Sequence, residues 1–400
     1  MNYEELINKN LITDNTEELN KNKIFLKTIQ NAKYSKHITS FLTPEDLLKD
    51  VKTKFIGITG TNGKTTTAFV LGYLLKNLGY IVAVQGTEGL FVNGKKVEEK
   101  TLTTPSIFTT IKRLYRYKPD FFIMEVSSHA IAQNRIEGIK YSAKILTSFS
   151  QDHLDYHKSM QEYKKVKESF FQDEAVKVIN GKLKVKNEKC KVEICGYDFN
   201  VNCENLYVLE KPIVDNIPMA GEFNKMNFSL AIKTVELLTN YSLLTTHYSR
   251  FRGVPGRMET VSINPLIIVD FAHTPDGMQK VISSVKGKKL VVFGAGGNRD
   301  REKRAKMGKV ADNLAEYIIL TNDNPRCENP VNIIEDIKKG IKKTPFEIIV
   351  NRKEAIKRAV AISKNFDAVL ILGKGDEKYM EFCNKKIHFN DKQEILKYLH

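Results

Sequence analysis

The segment FIGITGTNGKTTTAFVLGYLLKNLG, residues 55–79, constrains the fold more than any other part of the chain. It begins as an apolar strand, continues through small residues and ends as an amphipathic helix. In such a unit, glycines allow backbone N–H groups to point at phosphate oxygens, and the helix N-terminus adds partial positive charge. We therefore predict a site for a nucleoside triphosphate. The loop residues predicted to bind it are Gly60, Thr61, Asn62, Gly63, Lys64, Thr65 and Thr66.

The loop is a variant of the usual phosphate-binding pattern. GxxxxGK[ST] would place glycine where this chain has Ile58, so Gly60 and Gly63 must make the turn. Lys64 is predicted to reach the terminal phosphates, and the Thr65 hydroxyl is predicted to bind Mg²⁺. A glycine-rich turn without a ligand is the alternative. The strand, the glycines, the lysine and the threonine all fall in place for the phosphate loop.

Polar side chains also follow two other apolar strands. Glu125 ends the strand in DFFIMEVSSHA, and His153 follows the strand in AKILTSF. The carboxyl ends of parallel strands meet at one edge of an open sheet, where ligands gather, so Glu125 is a candidate metal ligand there. For His153, the residues alone leave a metal role and a structural role equally open.

Composition narrows the class of protein. The chain has 42% hydrophobic and 28% charged residues, and its formal net charge is +16. Its lysines alternate with apolar positions in stretches such as KLKVKNEKCKVE, which is typical of solvated surfaces and not of a polynucleotide track. No apolar run approaches the roughly 20 residues that span a bilayer, and the polar N-terminus does not resemble a signal peptide. We expect a cytoplasmic, monomeric protein that binds no nucleic acid and does not insert into membranes.

The five cysteines predict neither a zinc site nor a disulfide framework. They are odd in number and lack CxxC spacing. Buried or reduced thiols are the expectation for a cytoplasmic chain.

Strands and helices alternate from Lys54 onward, which predicts an α/β protein with parallel sheets covered on both faces. TPEDLL begins a helix with Thr43 as its N-cap and Pro44 at its first position. Residues 181–220 form a β-rich excursion, and a second alternating series follows a polar junction at 239–250. The predicted domains are 1–46, 47–244 and 245–400.

Many motifs of the chain resemble those of the Mur ligases. In the order of that family they are GTNGKTT, TTP, EVSSHA, DHLDYH, EYKKVKESFF, GEFNKMN, VPGRME, DFAHTPDG, FGAGGNRDREKR, TNDNPRCENP and GKGDE. They extend from about Lys54 to the C-terminal region. The resemblance implies a three-domain architecture: a shortened N-terminal domain for a UDP-linked substrate, a central doubly wound phosphate-loop ATPase domain and a C-terminal Rossmann-like domain.

The resemblance also implies a reaction in peptidoglycan precursor synthesis. A ligase of this kind uses ATP and Mg²⁺ to phosphorylate a carboxylate of UDP-N-acetylmuramoyl-L-alanyl-D-glutamate, and an amino acid then attacks the acyl phosphate. Lys167 stands where the family carries a carbamylated lysine. The residues implied in catalysis or metal binding are Lys64, Thr65, Glu125, His153 and Lys167.

Further roles are carried over position by position. The residues implied to bind the muramoyl dipeptide are Thr103, Thr104, Ser127, Gln133 and Arg135. Beyond the loop, the residues implied to bind the nucleotide are Asn227, Arg257, Asp270 and His273.

Together with the resemblance, the segment TNDNPR predicts meso-2,6-diaminopimelate as the added amino acid, rather than L-lysine. Taken alone, DNPRCENP would more simply be a loop with a helix-starting proline. Diaminopimelate carries a second carboxylate at the end of its side chain, and Arg326 can bind it with two hydrogen bonds. Asn324 can donate, Asp323 can accept from the far ammonium, and Pro325 stiffens the turn. The resemblance adds Arg299, Gly373 and Glu377 to this pocket.

Two departures from the family pattern concern the ends of the chain. The segment before the phosphate loop is shorter than usual, and Asp376 stands where relatives usually have histidine. Alternatives within the fold are a lysine-adding ligase and a folylpolyglutamate synthetase-like ligase. Alternatives of another class are a nucleic-acid-dependent ATPase and a nucleotide-binding regulator.

Overall fold

The computed structural model of the protein describes residues 2–99, 101–185, 190–243 and 245–399. The chain divides into two compact units. Unit 1 comprises residues 1–149, 161–215 and 226–250, and unit 2 comprises residues 150–160, 216–225 and 251–400. The domain boundaries predicted from the sequence, 46/47 and 244/245, stay predictions; residue 244 lies outside the described residues.

Residues 1–250 supply the α-helices and strands of unit 1, together with a short helix and the beginnings of two longer helices that belong to unit 2. In chain order they are α1 (Tyr3–Asn8), β1 (Ile12–Thr13), β2 (Ile24–Leu26), β3 (Phe41–Leu42), α2 (Pro44–Leu48), β4 (Lys54–Thr59), α3 (Lys64–Asn77), β5 (Val82–Gly86), β6 (Gly89–Val92), β7 (Lys95–Glu98), α4 (Ile107–Tyr117), β8 (Phe121–Glu125), α5 (Ser128–Ala132), β9 (Tyr141–Leu146), α6 (Leu154–His157), α7 (Met160–Ser169), β10 (Val176–Asn180), β11 (Lys182–Val185), β12 (Cys190–Ile194), β13 (Tyr197–Val201), β14 (Leu206–Leu209) and α8 (Glu222–Thr239).

The N-terminal segment forms a small parallel sheet of β1, β2 and β3. Ile12, Leu26 and Leu47 share a core with Ile107 and Phe108 of α4. The predicted start of α2 is confirmed, because the Thr43 side chain accepts a hydrogen bond from the Asp46 N–H and the Asp46 carboxylate accepts one from the Thr43 N–H. This reciprocal cap satisfies two N–H groups that the helix itself leaves without partners.

The large sheet of unit 1 has the order β14-β10-β9-β4-β8-β5-β6-β7. The strands from β14 to β5 are parallel, as the alternating pattern predicted. Residues 55–59 of the central strand β4 are all buried, since helices cover both faces of such a strand. Its carboxyl end therefore lies between those of β8 and β9, at the edge where ligands gather.

Two parts of unit 1 depart from a purely parallel sheet. The strands β6 and β7 extend it as an antiparallel meander, which the sequence prediction did not include. The β-rich excursion is confirmed in residues 182–209: β11, β12 and β13 form a separate antiparallel sheet, and β14 joins the large sheet beside β10.

Residues 251–400 supply the remaining α-helices and strands. They are β15 (Glu259–Ile263), β16 (Leu266–Asp270), α9 (Pro275–Ser283), β17 (Lys289–Phe293), α10 (Glu302–Leu314), β18 (Tyr317–Leu320), α11 (Pro330–Lys338), β19 (Phe346–Ile348), α12 (Arg352–Ile362), β20 (Ala368–Leu372), β21 (Tyr379–Phe382), β22 (Lys385–His388) and α13 (Asp391–Leu396).

Unit 2 has a six-stranded sheet of order β15-β16-β20-β17-β18-β19, parallel except for β15. Successive residues of its strands point to opposite faces, so Ile268 packs with Met278 of α9 and Met307 of α10, while Val269 packs with Ile356 of α12. Each face thus has its own apolar core. The predicted α/β fold class, with doubly wound parallel sheets, is confirmed.

The prediction of reduced cysteines is wrong in this structure. Cys190 is bonded to Cys203, Cys327 is bonded to Cys383, and Cys195 is a free, exposed thiol. Cysteine spacing could not reveal these pairs, because the fold brings their Cα atoms to 5.2 and 4.3 Å across separations of 13 and 56 residues. Within the described residues, none of the helices combines the length and the apolar character of a bilayer-spanning segment.

Candidate active site

The phosphate loop of unit 1 follows β4 and leads directly into α3. Gly60 and Gly63 have positive φ angles of 144° and 91°. A Cβ atom on Gly60 would lie 2.1 Å from the Thr147 Oγ1, and one on Gly63 would lie 2.5 Å from the Asn227 Oδ1. These distances require glycine at both turn positions, and they place Asn227 beside the loop.

Side chains from the end of β9 hold the loop in position. The Asn62 N–H donates to the Ser148 Oγ at 2.9 Å, and the Thr147 Oγ1 donates to the Asn62 carbonyl. The Lys64 ammonium donates to the carbonyls of Gly60 and Thr61 at 2.8 and 2.9 Å. A lysine cation therefore lies over the turn, next to the N–H groups that begin α3.

Glu125 is buried at the carboxyl end of β8, with 1% of its surface exposed. Its carboxylate accepts hydrogen bonds from the Thr87 N–H and hydroxyl at 3.1 and 3.0 Å. A Cβ atom on Gly86 would lie 2.1 Å from the Glu125 Oε1, so the carboxylate occupies space that only glycine leaves open. An anion is thus fixed at the edge of the sheet that carries the phosphate loop.

Lys167 of α7 is also buried, with 1% exposure. Its Nζ lies 3.0 Å from the Oγ1 of Thr59, the last residue of β4, and 4.9 Å from the ring centre of Tyr163. The Tyr163 hydroxyl lies 3.2 Å from the Thr61 Oγ1. The structure therefore places this lysine beside the phosphate loop and not on an exposed helix face.

The residues predicted to bind the muramoyl dipeptide form a connected network in unit 1. The Thr104 hydroxyl donates to the Glu125 carbonyl at 2.8 Å and accepts from the Ser127 N–H at 3.0 Å. The Arg135 guanidinium donates to the Thr104 carbonyl and to the Gln133 side chain. Thr103 belongs to the same network, because its Oγ1 lies 3.5 Å from the Thr87 Oγ1.

Arg257, Asp270 and His273, predicted to bind the nucleotide, gather at the end of β16 in unit 2. Asp270 accepts from the N–H groups of Met258 and Ala272, both at 2.7 Å. Burial raises the pKa of Asp270, and Arg257 acts in the opposite direction. Desolvation and the positive charge of Lys303 lower the pKa of His273 to about 4, so its imidazole is neutral at pH 7.

A buried carboxylate, Asp152, lies next to His153 in unit 2. It lies 3.4 Å from the His153 ring, 3.5 Å from the Lys303 ammonium and 4.0 Å from the His273 ring. Burial acts to raise the pKa of Asp152, but the charges of His153 and Lys303 outweigh it and hold the pKa well below the usual range. Asp152 is thus an ionised group between two histidines that the sequence analysis had singled out.

The residues of the predicted amino-acid pocket cluster at the carboxyl ends of β18 and β20. The Asn324 amide donates to the Glu377 Oε2 at 2.8 Å and accepts from the Lys374 ammonium at 3.1 Å. Lys374, with none of its surface exposed, also lies 2.9 Å from Glu377 and 3.9 Å from Asp323. A cation at the base of the cluster therefore offsets its two carboxylates.

Close backbone approaches shape the same cluster. A Cβ atom on Gly373 would lie 2.5 Å from the Asp323 Oδ2, and one on Gly297 would lie 1.9 Å from the Pro325 carbonyl. Arg299 makes an ion pair with Asp155 at 3.6 Å. Asp376, the departure from the family pattern, has its backbone N–H beside Gly256, and its carboxylate accepts a 3.4 Å hydrogen bond from the Asn390 amide.

A second buried cation, Arg352, joins the two loops of the cluster. Its guanidinium donates to the carbonyls of Asn322 and Leu372, which immediately precede Asp323 and Gly373. Its charge is matched by the buried Asp391 carboxylate at 2.7 Å. The loop positions thus depend on a side chain that begins α12.

The sequence analysis did not single out Thr87, Lys374 or Arg352. Lys374 could have been found, because it stands inside the GKGDE motif. The other two carried no local signal, since their partners are distant in the chain. Of the metal ligands predicted, Thr65, Glu125 and Lys167 belong to unit 1, whereas His153 belongs to unit 2, so their joint action stays a prediction.

Comparison with known protein families identifies both halves of the chain. Residues 58–235 match the Mur ligase middle domain, and residues 256–375 match the glutamate ligase domain of Mur ligases. A Wolinella succinogenes protein is 42% identical and a Helicobacter pylori protein 40% identical, each over 96% of this chain and over 95% and 94% of its own length. Both relatives are named UDP-N-acetylmuramoyl-L-alanyl-D-glutamate--2,6-diaminopimelate ligase.

Solved structures agree on the fold alone. A diaminopimelate ligase of the same name covers 97% of this chain and 94% of its own, with a TM-score of 0.57 and 24% identity. Mycobacterium tuberculosis folylpolyglutamate synthase covers 82% of this chain and 91% of its own, with a TM-score of 0.62 and 16% identity. Because the TM-scores do not separate the two activities, the sequence relatives decide the family.

The two matched domains and the named sequence relatives indicate an ATP-dependent ligase that forms amide bonds. This chain belongs to the Mur ligase family.

Proposed function

We propose that this chain joins meso-2,6-diaminopimelate to UDP-N-acetylmuramoyl-L-alanyl-D-glutamate, with ATP as the source of energy. The observation that carries this proposal is the clustering of Asp323, Asn324 and Glu377 around the buried Lys374, with Arg326 in the same loop. The two sequence relatives named for this activity support it. We also propose that the reaction takes place in the cytoplasm.

The nucleotide end of the reaction depends on the phosphate loop. Lys64 lies over the turn and supplies the cation for the terminal phosphates, while the N–H groups at the start of α3 bind phosphate oxygens. Transfer of the γ-phosphoryl group to the acceptor's carboxylate gives an acyl phosphate and ADP. The loop's contribution is to orient the phosphates and offset their charge.

The chemistry of the donor set fits Mg²⁺. The Thr65 hydroxyl and the Glu125 carboxylate would be oxygen ligands, and the Glu125 carboxylate accepts two hydrogen bonds from Thr87. Among the residues that the structure describes, no group of three or more His, Cys, Asp or Glu side chains could hold a metal by itself. Mg²⁺ typically takes one or two protein ligands and otherwise water and phosphate oxygens. When bound, it offsets phosphate charge during transfer.

We further propose that Lys167 is carbamylated. The Lys167 ammonium would lose one proton, and the resulting amine nitrogen would bond to the carbon of CO₂ and lose a second proton, so that a cation becomes an anionic oxygen donor. Its burial beside Thr59 supports the proposal, because an oxygen donor at this position would lie next to the phosphate loop. His153 is proposed as a further ligand.

The acceptor dipeptide is proposed to bind along the network that contains Thr104, Ser127 and Arg135, which leads from the Glu125 carbonyl to a guanidinium. In the second step, the diaminopimelate amine attacks the acyl carbon, the C–O bond to phosphate breaks, and the amine loses a proton. Holding the two reactants in line lowers the barrier, since it replaces a bimolecular encounter.

The experiment that tests the function is an amino-acid panel with UDP-N-acetylmuramoyl-L-alanyl-D-glutamate, ATP and Mg²⁺, scored by mass spectrometry of the UDP-linked product. Product with diaminopimelate, in preference to L-lysine, is the expected result. ATP hydrolysis that depends on a folate acceptor would instead identify a folylpolyglutamate synthetase-like ligase. Hydrolysis stimulated by a polynucleotide and strongly reduced by salt would identify a nucleic-acid-dependent ATPase.

A further inference from the structure

The hairpin of β21 and β22 is attached to the loop that carries Arg326. The Arg326 N–H donates to the Glu381 carbonyl at 3.0 Å, and the Cys383 N–H donates to the Arg326 carbonyl at 2.7 Å. The disulfide between Cys327 and Cys383 joins the same two segments. Arg326 has a φ of 50°, a left-handed conformation that costs free energy for a residue with a side chain and persists only when its surroundings fix it.

Contacts hold the side chain of Arg326 as well as its backbone. Its Nε lies 3.2 Å from the Glu381 Oε2, and its Nη1 donates to the Gly297 carbonyl at 2.8 Å. Its Nη2 donates to no residue in the part of the chain that the structure describes. The guanidinium is therefore anchored at two nitrogens, and both hydrogens of the third are left for a ligand.

We infer that Glu381 is a positioning residue that determines specificity for the second carboxylate of the amino-acid substrate. Glu381 fixes the guanidinium plane through Nε, so that Nη2 and the second hydrogen of Nη1 form the two-pronged donor that a carboxylate requires. This inference rests on the proposed function, because L-lysine has no such carboxylate. Selectivity for diaminopimelate over L-lysine would then depend on the hairpin of β21 and β22 as well as on the TNDNPR loop.

The energetic reason is preorganisation. Arginine has many rotamers, and about three-quarters of the Arg326 side chain is already removed from water by its surroundings, with 25% exposed. An arginine that is fixed before the substrate arrives loses less conformational entropy on binding. The opposite expectation is competition, in which the Glu381 carboxylate occupies Arg326 and weakens substrate binding. The two expectations predict opposite changes in KM.

The decisive variant is Glu381→Gln, which removes the charge and keeps the backbone contacts, including the hydrogen bond from the Glu381 N–H to the Asn324 Oδ1. We expect the KM for diaminopimelate to rise about three- to tenfold, with kcat and the KM for ATP unchanged within about twofold. Residual turnover of L-lysine should not change. Glu381→Asp, which keeps the charge on a shorter side chain, should fall between wild type and Glu381→Gln.

Lys385→Gln is the matched control, since this exposed residue lies on the same hairpin and its substitution also changes one charge. It should leave all kinetic constants unchanged. In an Arg326→Ala background, Glu381→Gln should have no further effect on kcat/KM for diaminopimelate, because the group that it positions is gone. Thermal unfolding of each variant separates a change of site from a loss of fold.

The outcomes are distinct. An unchanged KM in Glu381→Gln, an effect that simply adds to that of Arg326→Ala, or equal losses for lysine and diaminopimelate would overturn the inference. A lower KM would establish competition in its place. If the wild-type chain does not prefer diaminopimelate, the proposed function itself fails, and that result is obtained before any variant is made.

Discussion

The phosphate loop of unit 1 and the amino-acid cluster of unit 2 are built by opposite means. The loop is a backbone structure: Gly60 and Gly63 make the turn, and the nearby side chains of Thr147 and Ser148 bind its main chain. The cluster is a structure of charged side chains, in which Lys374 contacts Asn324 and Glu377 across the gap between two loops. The difference suggests a division of labour that we propose: the backbone geometry of the loop serves the phosphates of ATP, and the side-chain charges of the cluster select the amino acid.

The largest effect expected is that of Lys64→Ala on the backbone-built site. Loss of the cation that lies over the loop should lower kcat by about 10²–10³-fold with any amino acid, because the stabilisation of transferring phosphate is lost. Steady-state assays at saturating ATP and Mg²⁺ measure it. Lys76→Ala, at the exposed end of the same helix α3, is the control and should retain full activity. Wild-type turnover in a folded Lys64→Ala protein would refute the assignment.

The next effect is that of Lys167→Ala. Without the proposed carbamate, ligation should fall about 10–100-fold, and small carboxylates should restore it in part by occupying the vacated position. Lys165→Ala, an exposed change on the same helix, should be active. A high-resolution map with an unmodified Lys167 amine in active, nucleotide-loaded protein, together with an active alanine variant, would contradict the prediction.

Arg326→Ala should change the amino-acid cluster of unit 2 and leave the phosphate loop of unit 1 unaffected. Losing one charge-assisted pair costs about 1.5–3 kcal/mol, so kcat/KM for diaminopimelate should fall tenfold or more while that for L-lysine changes little. The ATP dependence should stay the same, since the phosphate loop is untouched. The test is to measure both amino acids with wild type and variant. Equal losses, or a wild-type preference for lysine, would remove the basis for assigning selectivity to this arginine.

The smallest effect is expected for Thr87→Val. This variant removes a side-chain contact from unit 1, and so tests how far the site of unit 1 depends on side chains as well as on its backbone. Glu125 would keep the hydrogen bond from the residue 87 N–H and lose that from the hydroxyl. We expect about fivefold weaker activation by Mg²⁺. Thr110→Val is a matched control, since the buried Thr110 hydroxyl has no hydrogen-bond partner in the described structure. A Mg²⁺ titration that distinguishes neither variant from wild type would exclude this role for Thr87.

What could be predicted from the sequence follows the same division. The phosphate loop is contiguous, so strand, glycines, Lys64 and helix could be located from local pattern. The contact of Lys374 with Asn324 spans 50 residues, and no local pattern connects them. The antiparallel β6 and β7 were missed because alternating strands and helices predict only the parallel strands. The cysteine pairs were missed because spacing does not reveal which distant residues the fold brings together.

The Cys327–Cys383 bond closes a covalent ring of the chain. The ring contains α11, β19, α12, β20 and β21, and therefore a central strand of the unit 2 sheet, which ends immediately before Gly373. A protease that cuts once inside the ring leaves two fragments that still migrate as one chain on a denaturing gel, and they separate only when a reductant is added. Limited proteolysis with and without reductant would therefore measure the fraction of molecules in which the loop that carries Arg326 is covalently bonded to the hairpin of β21 and β22.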